Sequence, residues 1–344
     1  DCPITIKNIK NCYVSNLNLL HTESTVFANS SYHFETPPVD IKQYGLEADA
    51  MISCPDSPYE YPVLQNSISV DTGFYIGDTD NFGHWVFEFL PKVLWYTRLF
   101  PKQDIPLIIG KSVPRKWLDL LLPLGINLEK LFRFDSGKSY KYNNLIVCSA
   151  SIKRMQGCSG AIRSEDFMTL RYLVENHYQH ISYSNRLDCL FCTRQNARWR
   201  KIINEEEVIA WLKQNFNTEI FEPENLSIGE QLTMLGKTKL FFGNGGSTPF
   251  SMFQPKDSYL FEIRGPGGGG IVGRSWPDLF RFGYHLVKTE FAVDENQPEN
   301  FNFESESDAS YHHRNLKIDF IQFKKDVIRS LNLSGLFKGR KVIF

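Results

Sequence analysis

Three stretches of the chain concentrate residue types that move protons or hold anions. In NFGHWVFEFLP, residues 81–91, His84 and Glu88 stand four apart, which puts both side chains on one face of a helix. Asp80 or Asn81 is placed to cap that helix. A helix N-terminus lowers a histidine's pKa and favours an ionised carboxylate, so either group suits a base. The same pattern describes an amphipathic core helix with a capped start, bent by Pro91 three residues later. In TRQNARWRKIINEEE, residues 193–207, Arg194, Arg198, Arg200 and Lys201 gather four cations within eight residues. Guanidinium groups match phosphate oxygens in pairs, although a solvated basic loop has this composition too. In LFFGNGGSTPF, residues 240–250, an apolar strand breaks into Gly243, Asn244, Gly245 and Gly246, and Ser247-Thr248-Pro249 opens a helix. Glycines there let backbone N–H groups approach an anion; an ordinary tight β–α turn reads the same way. Neither a P-loop nor a G-x-G-x-x-G fingerprint is present. Asp78-Thr79-Asp80 spells D-x-D, which with His84 suggests metal binding; a capping turn explains it equally well.

The elements that position these residues alternate in type. Residues 1–75 are short β-like runs broken by Pro, Asn and Asp. A helix over 81–99 leads to the apolar run DIPLIIG, read as a buried parallel strand. SVPRKWLDLLLPLGI follows as a helix with Pro114 just inside its start, and NNLIVCSA as a second buried strand. After a helix over 164–180, ISYSNR reads as a hinge. Beyond it LDCLFCTR, TEIFEP, KLFFG and SYLFEIR are strands, and the intervening NEEEVIAWLKQNF, SIGEQLTMLGKT and STPFSMFQ are helices. Asn204 and the glutamates after it look like a cap with acids in the first turn. DFIQFKKDVIRSL is the last helix, and the polar stretch 293–308 a surface loop. Strands alternating with helices imply parallel sheets covered on both faces. The expectation is two α/β domains, 1–183 and 184–344, with a cleft between them.

Composition narrows the function classes. The 344 residues are 42% hydrophobic and 14% aromatic, a globular balance, and the net charge of −1 gives the whole chain no electrostatic reason to seek nucleic acid. Seven scattered cysteines are no disulfide framework and favour a reducing compartment. The C-x-x-C of Cys189 and Cys192 lies in a strand-like run and reads as two core residues. No apolar run reaches the ~18–20 residues of a membrane helix. Asp1 in place of Met points to removal of a signal peptide, a membrane anchor or an upstream segment. Sequons beginning at Asn29, Asn225 and Asn332 carry little weight in a chain rich in Asn and Ser.

Taken together, the motifs resemble glycosyltransferase family 61. They are N-F-x-H-W-x-x-E-x-L-P from Asn81 to Pro91; Arg194, then R-[KR]-I-[IL]-N-E from Arg200 to Glu205; LSIGEQLTMLGKTKLFFG; and GNGGSTPFSMFQPKDSYLFEI. The likeness covers about 80–94 and 187–263. Where the family carries histidine in G-x-H-G-A, this chain has Asn244, a neutral amide that hydrogen-bonds but brings no charge. The resemblance implies a GT-B architecture, with a nucleotide-sugar, a UDP-sugar, on the C-terminal domain. A glycan or glycoprotein acceptor would lie largely on the N-terminal one, with inversion at the anomeric carbon and no obligatory metal or other cofactor. It implies Glu88 as first choice of base, with His84 as its orienting partner or replacement. Arg194 and Arg200 would neutralise the diphosphate, with Arg198 in reserve. Asn244 and the N–H groups around Gly245, Gly246 and Ser247 would complete the cradle, and Glu262 would hold the donor ribose. A bacterial cytoplasm is the expected compartment, a Golgi or ER lumen the alternative. A non-catalytic carbohydrate-binding relative is the competing function, motivated by Asn244.

Overall fold

The computed structural model describes residues 4, 6–15, 19–21, 26–27, 51–52, 67–135, 138–155, 158–178, 187–197, 200–244, 247–266, 271–292, 314–337 and 342. The chain divides into two compact units, Asp1–His177 and Tyr178–Phe344. It is a mixed α/β protein with parallel strands in both.

The first unit is built on an eight-stranded sheet. Its strands are β1 (Ile6–Ser15), β2 (Leu19–His21), β3 (Val26–Phe27), β4 (Met51–Ile52), β5 (Ile68–Gly77), β6 (Leu107–Gly110), β7 (Phe132–Phe134) and β8 (Tyr140–Cys148), in the order β4-β3-β2-β1-β8-β5-β6-β7. β8, β5, β6 and β7 run parallel, and β1 turns the other half of the sheet antiparallel. The chain between β5 and β6 is a helix, α1, whose geometry changes along its length. Phe82–His84 is α-helical, Trp85–Phe89 forms a π turn, and Leu90–Leu99 is α-helical again. Leu90 N–H donates to the Trp85 carbonyl, five residues back. Pro91 has no N–H for the Phe87 carbonyl and its ring presses on that group, so a widened turn just before it relieves both problems. The proline's effect therefore falls on the turn that carries Glu88 rather than beyond it.

Two further helical readings change in kind. SVPRKWLDLLLPLG forms a 3-10 helix, Arg115–Leu124, with Pro114 at its N-cap rather than inside it, and Gly125 in the left-handed region (φ 75°) ends it. STPFSMFQ also yields a 3-10 helix, Thr248–Phe253. Pro123, inside the first of these, removes an N–H that a regular α-helix would use. The helix predicted over 164–180 is α2, Ser164–His177. It is tied to α1 by Asp166, fully buried, which accepts from Trp95 Nε1 (2.8 Å), Arg98 (3.0 Å) and Ser151 Oγ (2.6 Å).

The second unit carries a five-stranded, wholly parallel sheet. A separate pair, β9 (Ile152–Met155) and β10 (Cys158–Ile162), precedes it in the chain. The sheet's strands are β11 (Leu187–Cys192), β12 (Thr218–Phe221), β13 (Thr238–Asn244), β14 (Tyr259–Ile263) and β15 (Gly283–Val287), ordered β12-β11-β13-β14-β15. Phe191, Phe242 and Phe261 are register partners on three adjacent strands, so they share one face. Their rings pack at 6.3 and 4.6 Å between centroids. Over them lie α3 (Glu205–Asn215) through Trp211 and the last helix through Phe323, 5.8 Å apart. Each such fully buried ring contributes roughly 1.5–3 kcal/mol. Between these helices in sequence come α4 (Ile228–Lys237), opened by a Ser227/Glu230 capping box, and α5 (Ile271–Phe280). The last helix, α6, is Phe320–Ser334. Cys189 and Cys192 are buried and free, as their strand-like setting implied. Burial pushes the Cys192 thiol up to about 12. A two-stranded antiparallel pair, β16 (Thr289–Phe291) and β17 (Leu316–Ile318), completes the unit.

Candidate active site

Open α/β sheets bind ligands beyond the carboxyl ends of their strands, where successive connections leave in opposite directions. Each unit has one such point. In the first, β6 and β7 extend from one side of β5 while β8 returns to its other side. In the second, β12 flanks β11 on one side and β13 on the other. The sequence-predicted residues gather after β5 in one unit and after β11 and β13 in the other.

After β5, Asp78 is buried and accepts from Ser112 Oγ (2.8 Å) and Val113 N–H (3.2 Å). A Cβ at Gly110 would fall 1.9 Å from its Cγ, so glycine is required there to admit this carboxylate. Asp78 thus pins the turn after β6. Among the described residues no group of three or more His, Cys, Asp or Glu is placed to hold a metal ion. Asn81, not Asp80, caps α1, accepting from Gly83 N–H (2.8 Å) and His84 N–H (3.4 Å). Asn81 N–H in turn donates to Thr79 Oγ1 (3.0 Å). That cap fixes the first turn, from which His84 reaches Glu88, Nδ1 to Oε1 2.9 Å. Glu88 is 2% exposed and His84 26%, so the imidazole is the accessible partner. Phe82 meets Trp117 edge to face at 5.3 Å on the same turn. Lys92, one turn beyond Glu88, is buried, donates to the Ile76 carbonyl (3.4 Å) and lies 5.0 Å from the Phe89 ring. The Glu-x-x-x-Lys spacing was visible in the sequence, but its burial was not.

At the second switch point, Arg194 follows β11 and donates to Asn244 Oδ1 at the end of β13 (3.1 Å). Glu205, 2% exposed, turns back from the first turn of α3 to accept from the Arg194 N–H (3.0 Å) and the Thr193 hydroxyl. The glutamates after Asn204 are therefore not all solvent-facing, and Glu205 is a positioning residue that sequence reading passed over. Asn204 occupies the N-cap position without capping; its amide exchanges two hydrogen bonds with the Ile318 backbone, both 2.9 Å. The preceding turn is stitched to the same strand. Leu316 N–H donates to the Lys201 carbonyl, Ile203 N–H to the Leu316 carbonyl, and Lys201 N–H to Asn315 Oδ1. These bonds hold Arg200 in a left-handed backbone conformation (φ 59°), uncommon for a residue with a Cβ.

Burial, then the charges of Arg194 and Arg264, lower the Arg200 pKa to about 10, and no carboxylate is among the causes. Its Nε is buried with no hydrogen-bond partner among the described residues. Burial also lowers Arg194. Glu224 and Glu205 act on Arg194 and Glu262 pairs with Arg264, so Arg200 is the guanidinium whose shift has no carboxylate behind it.

The remaining predicted residues fall differently. Ser247 is buried, and both its N–H (2.8 Å) and its hydroxyl (3.0 Å) go to the Asn244 carbonyl. The Ser247 N–H bonds within its own turn, and the 3-10 helix after it, Thr248–Phe253, is six residues long. Arg198, Gly245 and Gly246 lie outside the described residues, as do 267–270 of the glycine-rich stretch. Glu262 is fully buried and engaged by Thr248 Oγ1 (3.2 Å), Tyr284 OH (2.7 Å) and Arg264 Nε (3.1 Å). Arg264 itself was not singled out in the sequence.

The family model described as Glycosyltransferase 61 matches residues 82–259, just over half of the chain. The chain belongs to glycosyltransferase family 61. The match opens at the first helical residue before His84 and closes in β14, so it takes in the His84–Glu88 turn and the strand ends that carry Arg194 and Asn244. No curated protein matches the chain. Family membership brings a sugar donor and an acceptor. No helix among the described residues is long and apolar enough to cross a membrane.

Proposed function

We propose that this family 61 protein is an inverting glycosyltransferase of GT-B organisation that moves a sugar from a UDP-sugar to a hydroxyl of a glycan or glycoconjugate, without an obligatory metal. The second unit would hold the donor and the first would prepare the acceptor. The observation that carries the reading is the Arg200 guanidinium, whose buried Nε lacks a partner among the described residues and which feels the charge of Arg194. Buried cations are costly unless paired, and a diphosphate supplies the pairing.

Inverting transfer needs a base on the acceptor hydroxyl and stabilisation of the departing diphosphate. The geometry favours His84 over Glu88 as the base, reversing the order expected from sequence. Glu88 is buried and accepts from Nδ1, which fixes the tautomer in which Nε2 is the basic nitrogen. As the bond to the anomeric carbon breaks, charge develops on the diphosphate, where Arg194 and Arg200 meet it. Asn244 orients Arg194 by accepting from it, a task open to a neutral amide. Glu262, engaged from three sides, serves the site through Arg264 rather than through the ribose.

The test is calorimetric binding of UDP together with donor consumption. UDP binding lost in Arg200→Gln, with transfer lost and binding kept in His84→Ala, is the expected result. Glycan binding without consumption of any nucleotide-sugar would instead establish the non-catalytic reading.

A further inference from the structure

The geometry points to Arg264 as a third arm of the anion site, one that fits it to a diphosphate over a single phosphate. The inference rests on the donor reading above and extends it to a residue beyond the family match.

Arg264 directly follows β14. Asn244 and Ile263 are register partners on β13 and β14, so Arg264 emerges one residue past the level at which Asn244 holds Arg194. Three neighbouring strand ends, β11, β13 and β14, thereby contribute Arg194, Asn244 and Arg264 in a row. The side chain is aimed by a buried relay. Arg264 Nε pairs with Glu262 Oε1 at 3.1 Å, and Tyr284 OH holds the other carboxylate oxygen at 2.7 Å. Glu262 has no exposure while Arg264 keeps 24%, so the carboxylate is an internal anchor and the guanidinium extends from it. That pairing uses Nε, which leaves the two terminal amino groups for a ligand.

The backbone is equally fixed. Thr289 Oγ1 donates to the Arg264 carbonyl, and a Cβ on Gly265 would sit 3.0 Å from Phe291 Cε1, so the turn is packed directly against β16. Independently, the buried Arg200 Nε is a donor with no acceptor among the described residues, and Arg200 feels the positive charge of both Arg194 and Arg264. Two cations suffice for one phosphate. A third, carried on the next strand with its own carboxylate anchor, suits the longer, more highly charged diphosphate.

The experiment uses the whole chain and three probes, inorganic pyrophosphate, UDP and UMP, by isothermal titration calorimetry. The wild type should bind pyrophosphate and UDP at least about tenfold more tightly than UMP. Arg264→Gln should cost pyrophosphate and UDP about tenfold and leave UMP nearly unchanged, erasing the preference; Arg264→Lys should recover part of it. Tyr284→Phe should give a smaller loss that disappears when Arg264→Gln is already present, an outcome a merely structural tyrosine would not produce. Circular dichroism and melting temperature check folding of each variant. UDP binding that falls in Arg200→Gln but is untouched in Arg264→Gln and Arg264→Lys would overturn the third arm and leave the donor reading intact. A wild type that binds neither UDP nor pyrophosphate would overturn the donor reading itself.

Discussion

The two switch points carry opposite electrostatics on the same strand arrangement. Beyond β5, a buried carboxylate finds its partner within the site: Glu88 accepts from His84 Nδ1. Beyond β11 and β13, carboxylates act on two of the three arginines, while none is among the causes of the Arg200 shift. Glu205 goes to the Arg194 backbone N–H and the Thr193 hydroxyl, and Glu262 engages Arg264. Arg200 is left with burial and like charge. The first site is largely complete without a ligand, as a proton-transfer pair must be. The second is poised for an anion that enters with the donor. Preorganised cations of this kind stabilise charge that develops late in the reaction, and the protein bears their repulsion beforehand.

Substitutions should separate the two sites, beginning with the largest effect. His84→Ala is expected to lower kcat by about 10²–10⁴ while UDP affinity is unchanged, measured by steady-state kinetics and calorimetry. Glu88→Gln should cost about 10–100-fold in kcat, since it loses the anchor of the imidazole rather than the base. A larger loss for Glu88→Gln than for His84→Ala would make Glu88 the base and collapse the assignment. At the second site, Arg200→Gln should weaken UDP binding by about 10–100-fold, the loss of a charged hydrogen-bonding partner. It should also raise the melting temperature of the unliganded protein by a few degrees. The sign follows from the lowered pKa: below about 10 the charged form is penalised in the folded state, and that penalty lifts only as pH rises through this value. A drop in both quantities would mean that Arg200 stabilises the fold and would remove the contrast between the sites. Asn204→Ala should have the smallest effect on binding, a few-fold, with a stability loss of about 1–2 kcal/mol by chemical denaturation.

Much of the chemistry was legible because it is local. The His84–Glu88 pair is one helical turn, and Arg194 and Asn244 sit at strand ends recognisable from apolar runs that stop at polar or glycine residues. The alternation of strands and helices in the second unit was legible for the same reason. What escaped was long-range. Nothing local announces that Asn204 spends its amide on Ile318, 114 residues away, instead of capping α3. Glu205 looked like one acid among three in a helix's first turn, and only the fold returns it to β11. Arg264 follows an ordinary strand, and the Tyr284 that holds its partner Glu262 lies on the next one. That the Ser247 N–H bonds back to the Asn244 carbonyl is likewise not written in composition.

The small pair β16–β17 has a consequence for how the protein can be shortened or recombined. Its strands hold the backbone of the Arg200 turn through Leu316 and that of Arg264 through Thr289 and Phe291. Both strands lie outside residues 82–259. A protein trimmed to those residues would keep most of the motifs that mark the family, but would lose Arg264 altogether and the clamp that aims Arg200. Exchanging the C-terminal segment between relatives should therefore alter donor handling even when no motif residue changes.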